Sequence, residues 1–193
     1  PPAAVLADPA ALATLPLREL RSGMGEVLKY AALDPALMAK VAAVVPGRAP
    51  AAELIAACAR AKVRVVEEDP NEKGARKLLN LGHTFGHGVE AAGAFERYTH
   101  GEAVAVGLAF AFRLAAVLGR IGPLGVAEVE QAISDAGLPL RVPASIAKRA
   151  VQLMGFDKKR TSAGLRWVLP IGDGPAWKVA WDVATNEIAG MVQ

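Results

Sequence analysis

The histidines of this chain are confined to one short region. His83 and His87 fall in "NLGHTFGHGVE", His100 follows in "YTHGEAVAVG", and the rest of the 193 residues has none. Imidazole is both an acid–base group near neutral pH and a common ligand for divalent cations. A catalytic zinc site needs three protein ligands and one position open to water or substrate, a count that two His and one carboxylate satisfy. His83 and His87 are one helical turn apart and could bind together as in the HExxH arrangement, but Thr84 stands where that motif has its glutamate base. His100 could replace either of them.

At 100° per residue, Arg76, Asn80, His83 and His87 fall within about 60° of one another on a single helix. Leu78, Leu81, Phe85 and Val89 take the opposite side, so the segment reads as an amphipathic helix whose polar stripe either faces water or lines a site. Two features favour a site. Gly82 and Gly86 each cost about 1 kcal/mol relative to Ala within a helix, unless a neighbour must approach closely. Exposed helix faces favour Lys, Glu and Gln, whereas Arg, Asn and His are hydrogen-bonding and metal-binding groups. Glu90 extends the stripe and speaks for plain solvation.

The elements that must position these residues are mainly helical. Alanine is abundant and aromatics are 5% of the chain, which suits close-packed helices better than a β-sandwich. "AAVLAD" reads as a short N-terminal strand, and Asp8-Pro9 as the cap and first turn of a helix through Leu15. In "LRELRSGMGEVLKYAAL" Gly23 and Gly25 are expected to bend or break the helix, placing Glu26 near a fresh start. Pro35 and Pro46 bracket a further helix, and the spacing predicts others over residues 51–68, 102–118, 126–136 and 145–154. "LRWVLP" and "AWKVAWD", separated by "IGDGP", read as a late β-hairpin.

Composition excludes several function classes. Formal charge is +3 with Lys and Arg scattered, without the runs or interleaved aromatics of a nucleic-acid groove, so a small anion is the expected partner. The single Cys58 rules out an internal disulfide or a Cys-based metal cluster and reads as a buried thiol. The most apolar run, from Ala103 to Phe112, falls short of the roughly 20 residues of a membrane span and reads as a buried helix. No signal-peptide pattern opens the chain, and "PPAAVLAD" looks like a cut inside a longer protein; a cytoplasmic location is the expectation. "GMGEVL" lacks the third glycine of a dinucleotide fingerprint and does not follow a strand.

Taken together, "TLPLRELRSGMGEVLKY", "NEKGARKLLNLGHTFGHGVE", "HGEAVAVG" and "MGFDKKR" closely resemble the 3-dehydroquinate synthases, in the family's order and over nearly the whole chain. The match is to that family's multi-helical C-terminal domain and the strand entering it, spanning residues 1–193, without the N-terminal NAD-binding α/β domain. The resemblance implies a metal, zinc or cobalt, held by Glu26, His83 and His100, with His87 facing substrate. It implies that Arg76 and Asn80, assisted by Lys62, hold a substrate carboxylate and neighbouring polar groups. Lys29 matches a lysine near the metal and the ring hydroxyls, and Lys158 or Lys159 would approach a phosphate. Ala11, Leu12, Ala13 and Thr14 match the contact with the adenine end of NAD.

The implied substrate is 3-deoxy-D-arabino-heptulosonate 7-phosphate, a sugar phosphate carrying a carboxylate. The implied cycle is oxidation by NAD, phosphate elimination, return of the hydride, ring opening and aldol closure to 3-dehydroquinate, an early step of the shikimate pathway. The family is commonly homodimeric, and neither nucleic acid nor membrane is an expected partner. One departure is visible: the family's Asp-Glu-x-Glu ahead of the glycine reads here as "DPNE", with Pro70 for the first Glu, which puts the shape of that loop in question. Two other readings compete. Another sugar-phosphate cyclase would share metal and NAD but act on substrates without the carboxylate that Arg76 and Lys62 suit. A helical interaction module could retain the metal site without chemistry.

Overall fold

The computed structural model describes residues 4–158, 166–172 and 178–184. Among the described residues, seven α-helices and one antiparallel strand pair follow in order: α1 Leu17–Leu33, α2 Met38–Ala42, α3 Ala52–Glu68, α4 His83–Ala92, α5 His100–Val117, α6 Pro123–Asp135, α7 Ala144–Lys158, then β1 Arg166–Ile171 and β2 Lys178–Ala184. Single-turn or two-turn 3-10 helices precede α1, α2 and α4, over Pro9–Thr14, Pro35–Leu37 and Ala75–Asn80.

α5 is the axis of the fold. Val104, Leu108 and Phe112 on it are fully buried, and α1, α4, α6 and β1 all pack against it. By length and composition it could cross a membrane, but two thirds of it, 67%, is covered by the other elements, as a core helix requires. Phe110 stacks on Phe85 of α4 at 4.3 Å and lies 5.5 Å from Trp167 of β1, joining the hairpin to the helical core. β1 and β2 are antiparallel, with Trp167 opposite Val183, Leu169 opposite Ala180, and a register shift between the two pairs. Cys58 is buried on α3, and desolvation pushes its thiol above the usual range.

Three expectations from the sequence are corrected. The N-terminal strand does not form in residues 4–8: Val5 and Leu6 are 80% and 97% exposed, and an extended segment without a neighbouring strand has no ladder to join. Gly23 and Gly25 do not interrupt α1, which runs unbroken through both, so Glu26 lies mid-helix. The single amphipathic helix carrying Arg76 to His87 is two elements: the 3-10 segment ends at Asn80, Leu81 is extended, and Gly82 in the left-handed region (φ +78°) precedes α4.

Candidate metal centre and anion-binding arm

Close backbone packing brings the candidate ligands together. At the crossing of α1 and α5, a Cβ on Gly101 would lie 1.7 Å from the Ser22 carbonyl oxygen, and one on Gly25 would lie 2.4 Å from the Gly101 carbonyl oxygen. Only paired glycines permit that approach, and the Gly101 N–H donates to Ser22 Oγ at 3.2 Å across it. Glu26, next to Gly25, and His100, next to Gly101, therefore face each other although 74 residues separate them. α4 is brought in the same way, since a Cβ on Gly107 would meet the Gly82 carbonyl oxygen at 1.8 Å and one on Gly86 the Ala103 carbonyl oxygen at 3.0 Å.

Local bonds then fix each ligand. Thr99 caps α5 in a capping box, its hydroxyl accepting from the Glu102 N–H at 3.3 Å while Glu102 Oε2 accepts from the Thr99 N–H at 2.8 Å. Arg18 of α1 clamps the same carboxylate with Nε at 3.1 Å and Nη2 at 2.9 Å, and Nη2 also reaches the Arg97 carbonyl. The hydrogen bond from Arg18 leads the causes that hold Glu102 below the usual carboxylate range. His100 is thus the first helical residue of a doubly anchored N-terminus.

Glu26 Oε1 lies 3.3 Å from His83 Nε2 and 3.3 Å from His100 Nε2, and one ligand atom from each of the three residues falls within 4.8 Å of the others. Tetrahedral ligands about 2.0–2.1 Å from zinc are roughly 3.3–3.4 Å apart, so the spacing fits a divalent ion bound to two imidazoles and a carboxylate. The remaining ring nitrogens agree. His83 Nδ1 is 3.2 Å from the Leu81 carbonyl, which only accepts, so the proton resides there and Nε2 is left as a donor to metal.

Lys29 completes the corner. It is 4% exposed, with Nζ 2.5 Å from Glu26 Oε2 and 4.9 Å from the centre of the Tyr30 ring. Burial acts to raise the Glu26 pKa, but its contacts with His83 and Lys29 and the Lys29 charge outweigh it and bring it to about 2. Tyr30 is pushed up to about 12, by burial first and then by the Glu26 charge, and remains a neutral phenol.

His87 stands beside this trio, its ring edge-on to His83 at 5.3 Å and 6.3 Å from that of His100. Desolvation, followed by the proximity of His83, lowers its pKa below that of ordinary imidazole against the opposing pull of Glu90. The structure thus brings together Glu26, Lys29, His83, His87 and His100.

The other predicted residues belong to other elements. Arg76 and Asn80 belong to the 3-10 segment, which packs against α3, α1 and the hairpin. Their loop is ordered by Asp69, whose carboxylate accepts from the N–H groups of Lys73 at 2.9 Å, Gly74 at 2.7 Å and Arg76 at 3.1 Å. Those bonds, led by the one from Lys73, hold the Asp69 pKa below the usual carboxylate range. Pro70 fits this loop because its carbonyl is what is used, accepting from Arg76 Nη1 at 2.9 Å, while a proline lacks only the N–H. Lys62 is exposed on α3, and Ala11 to Thr14 form the largely exposed 3-10 turn capped by Asp8. Lys158 is the last residue of α7, and Lys159 lies outside the described residues.

Sequence reasoning missed four contributors. Glu90, set down to solvation, bonds to His100. Thr99 and Glu102 could have been found as the Thr-x-x-Glu signature ahead of an apolar run. Arg18 has no local signal, since its partner lies 84 residues away.

Solved structures share this helical architecture. The 2-epi-5-epi-valiolone synthase of Streptomyces hygroscopicus subsp. jinggangensis 5008, solved with NAD+ and Zn2+ bound, matches 96% of this chain and 53% of its own, with 28% identity and a TM-score of 0.72. A 2-deoxy-scyllo-inosose synthase, solved with carbaglucose-6-phosphate, NAD+ and Co2+, shares the fold with a TM-score of 0.70 and 24% identity, over 96% of this chain and 55% of that one. The fold is that of the sugar-phosphate cyclases. Within that class, the family described as 3-dehydroquinate synthase C-terminal matches residues 23–160, and the chain belongs to it.

The 3-dehydroquinate synthase of Xanthomonas campestris pv. campestris (strain 8004) is 43% identical over 188 residues, covering 91% of this chain and 51% of the relative. That of Mesorhizobium japonicum is 40% identical over 204 residues, covering 100% and 54%. The chain spans about half the length of the curated relatives it matches.

Proposed function

We propose that the chain supplies the metal- and substrate-binding half of a 3-dehydroquinate synthase, a lyase that converts 3-deoxy-D-arabino-heptulosonate 7-phosphate to 3-dehydroquinate and phosphate. The observation that carries this reading is the Glu26, His83 and His100 centre with its 3.3 Å ligand spacing, in a chain of this family. A zinc or cobalt ion held there supplies Lewis-acid polarisation of the hydroxyl being oxidised, and NAD supplies the hydride acceptor and donor.

The protein's own groups do the rest. Lys29 keeps Glu26 ionised and offers an ammonium to the ring hydroxyls. His87, kept neutral at physiological pH by its depressed pKa, can accept a proton at one ring nitrogen while donating from the other, beside the departing phosphate. Arg76, Asn80 and Lys62 take the substrate carboxylate, a fork and an amide that match its two oxygens better than they match the uncharged end of other sugar phosphates. Lys158 or Lys159 takes the phosphate, and Ala11 to Thr14 lie along the adenine end of NAD.

Because the relatives are about twice as long, we infer that turnover needs an NAD-binding domain beyond these residues. The test joins this chain to the N-terminal half of the Xanthomonas relative and follows phosphate release. We expect release from the heptulosonate with the joined protein and none with the chain alone. Turnover of sedoheptulose 7-phosphate or glucose 6-phosphate in preference to the heptulosonate would overturn the substrate assignment.

A further inference from the structure

We propose that Glu90 is a positioning residue for the metal centre, orienting His100 so that its Nε2 points at the ion. The proposal rests on the reading of Glu26, His83 and His100 as ligands. Glu90 Oε1 lies 3.1 Å from His100 Nδ1, and the Glu90 side chain is only 14% exposed. An ionised carboxylate only accepts, so the bond places the imidazole proton on Nδ1 and leaves the Nε2 lone pair on the side of Glu26. The two histidines then share one design: His83 Nδ1 is bound by the Leu81 carbonyl and His100 Nδ1 by Glu90.

They need it unequally. His83 is 13% exposed and held by its surroundings, whereas His100 is 45% exposed on the first residue of a helix, where packing does little to choose its ring angle. Glu90 supplies what packing omits. Two turns after His83 on the same face of α4, it makes one helix carry both a ligand and the support for a second ligand on α5.

A helical reason for the residue is missing. Glu90 occupies the C-terminal part of α4, where a negative charge opposes the helix dipole, and its side chain makes no hydrogen bond other than that to His100 among the described residues.

The test compares wild type, Glu90→Gln and Glu90→Ala for Co2+ and Zn2+ affinity by competition with a chromophoric chelator at neutral pH. It also records the visible absorption of the Co2+ forms and the melting of the metal-free forms. Loss of such supporting partners weakens metal binding about 10- to 100-fold, so the expected order is wild type, then Gln, then Ala, with Ala in that range. The cobalt spectrum of Glu90→Ala should change while the metal-free melting temperatures stay together. Wild-type affinity and an unchanged cobalt spectrum in Glu90→Ala would overturn the proposal. So would an affinity loss in both variants matched by lower metal-free melting, which marks a merely structural contact. Failure of the wild-type chain to bind either ion would instead overturn the metal-centre reading, and this proposal with it.

Discussion

The corner where α1, α4 and α5 meet and the loop over residues 69–80 both carry residues of the proposed site, yet they are ordered by different physics. At the corner, backbones touch through glycines, and ligands 74 residues apart in sequence end 3.3 Å from one another. In the loop, Asp69 binds N–H groups at most seven residues away, and Arg76 reaches no farther than Pro70. The first arrangement exists only if the whole domain folds. The hydrogen bonds of the second are local, so the residues proposed there for anion binding are expected to change without disturbing the metal ligands.

The largest expected break in that contrast is Gly101→Ala. Its new methyl would meet the Ser22 carbonyl at 1.7 Å, and forcing the two helices apart should cost on the order of 3 kcal/mol or more, with loss of metal binding, read by thermal melting and metal analysis. His83→Ala should come next: the fold persists, and zinc affinity falls on the order of 100-fold or more, because two ligands remain. Arg76→Ala should leave metal content at one ion per chain. Loss of a charge-assisted bond worth about 1.5–3 kcal/mol should raise KM for the heptulosonate roughly 10- to 100-fold in the joined enzyme. Equal loss of metal in Arg76→Ala and His83→Ala would erase the distinction between the two regions.

A smaller effect separates them by pH. The Asp69 pKa is depressed in the folded protein, so the loop's order is fully present above the ordinary carboxylate pKa and is lost as pH falls through the depressed value. Amide exchange at Lys73, Gly74 and Arg76 should therefore stay protected at mildly acidic pH, and Asp69→Ala should abolish that protection at neutral pH without moving the global melt. The smallest change is expected for Arg18→Ala, whose exposed ion pair with Glu102 should shift the melting temperature by no more than about 2 °C.

Much of this was legible in the residues. The helix over 51–68 follows from its apolar spacing and appears as Ala52–Glu68, and the two paired strands follow from the apolar alternation of "LRWVLP" and "AWKVAWD". The glycines were harder. Composition reads Gly23 and Gly25 as breaks in α1, because it cannot distinguish a glycine that interrupts a helix from one that admits another helix. Gly82 is the converse: the apolar spacing runs a helix through it, whereas its left-handed conformation separates the 3-10 segment from α4. A single helical wheel across it groups Arg76 and Asn80 with His83 and His87, although the first two lie on the 3-10 helix and only the last two on α4.

Residue types and their order along the chain were enough to predict a mainly helical domain and a histidine- and carboxylate-based centre, and to suggest cationic groups suited to an anion, since these depend on periodicity and on intrinsic side-chain chemistry. The choice of ligands among three histidines, the contact of Glu90 with His100 and the continuity of α1 depended on which backbones come within touching distance. That is a property of packing between distant segments, which local propensity does not encode.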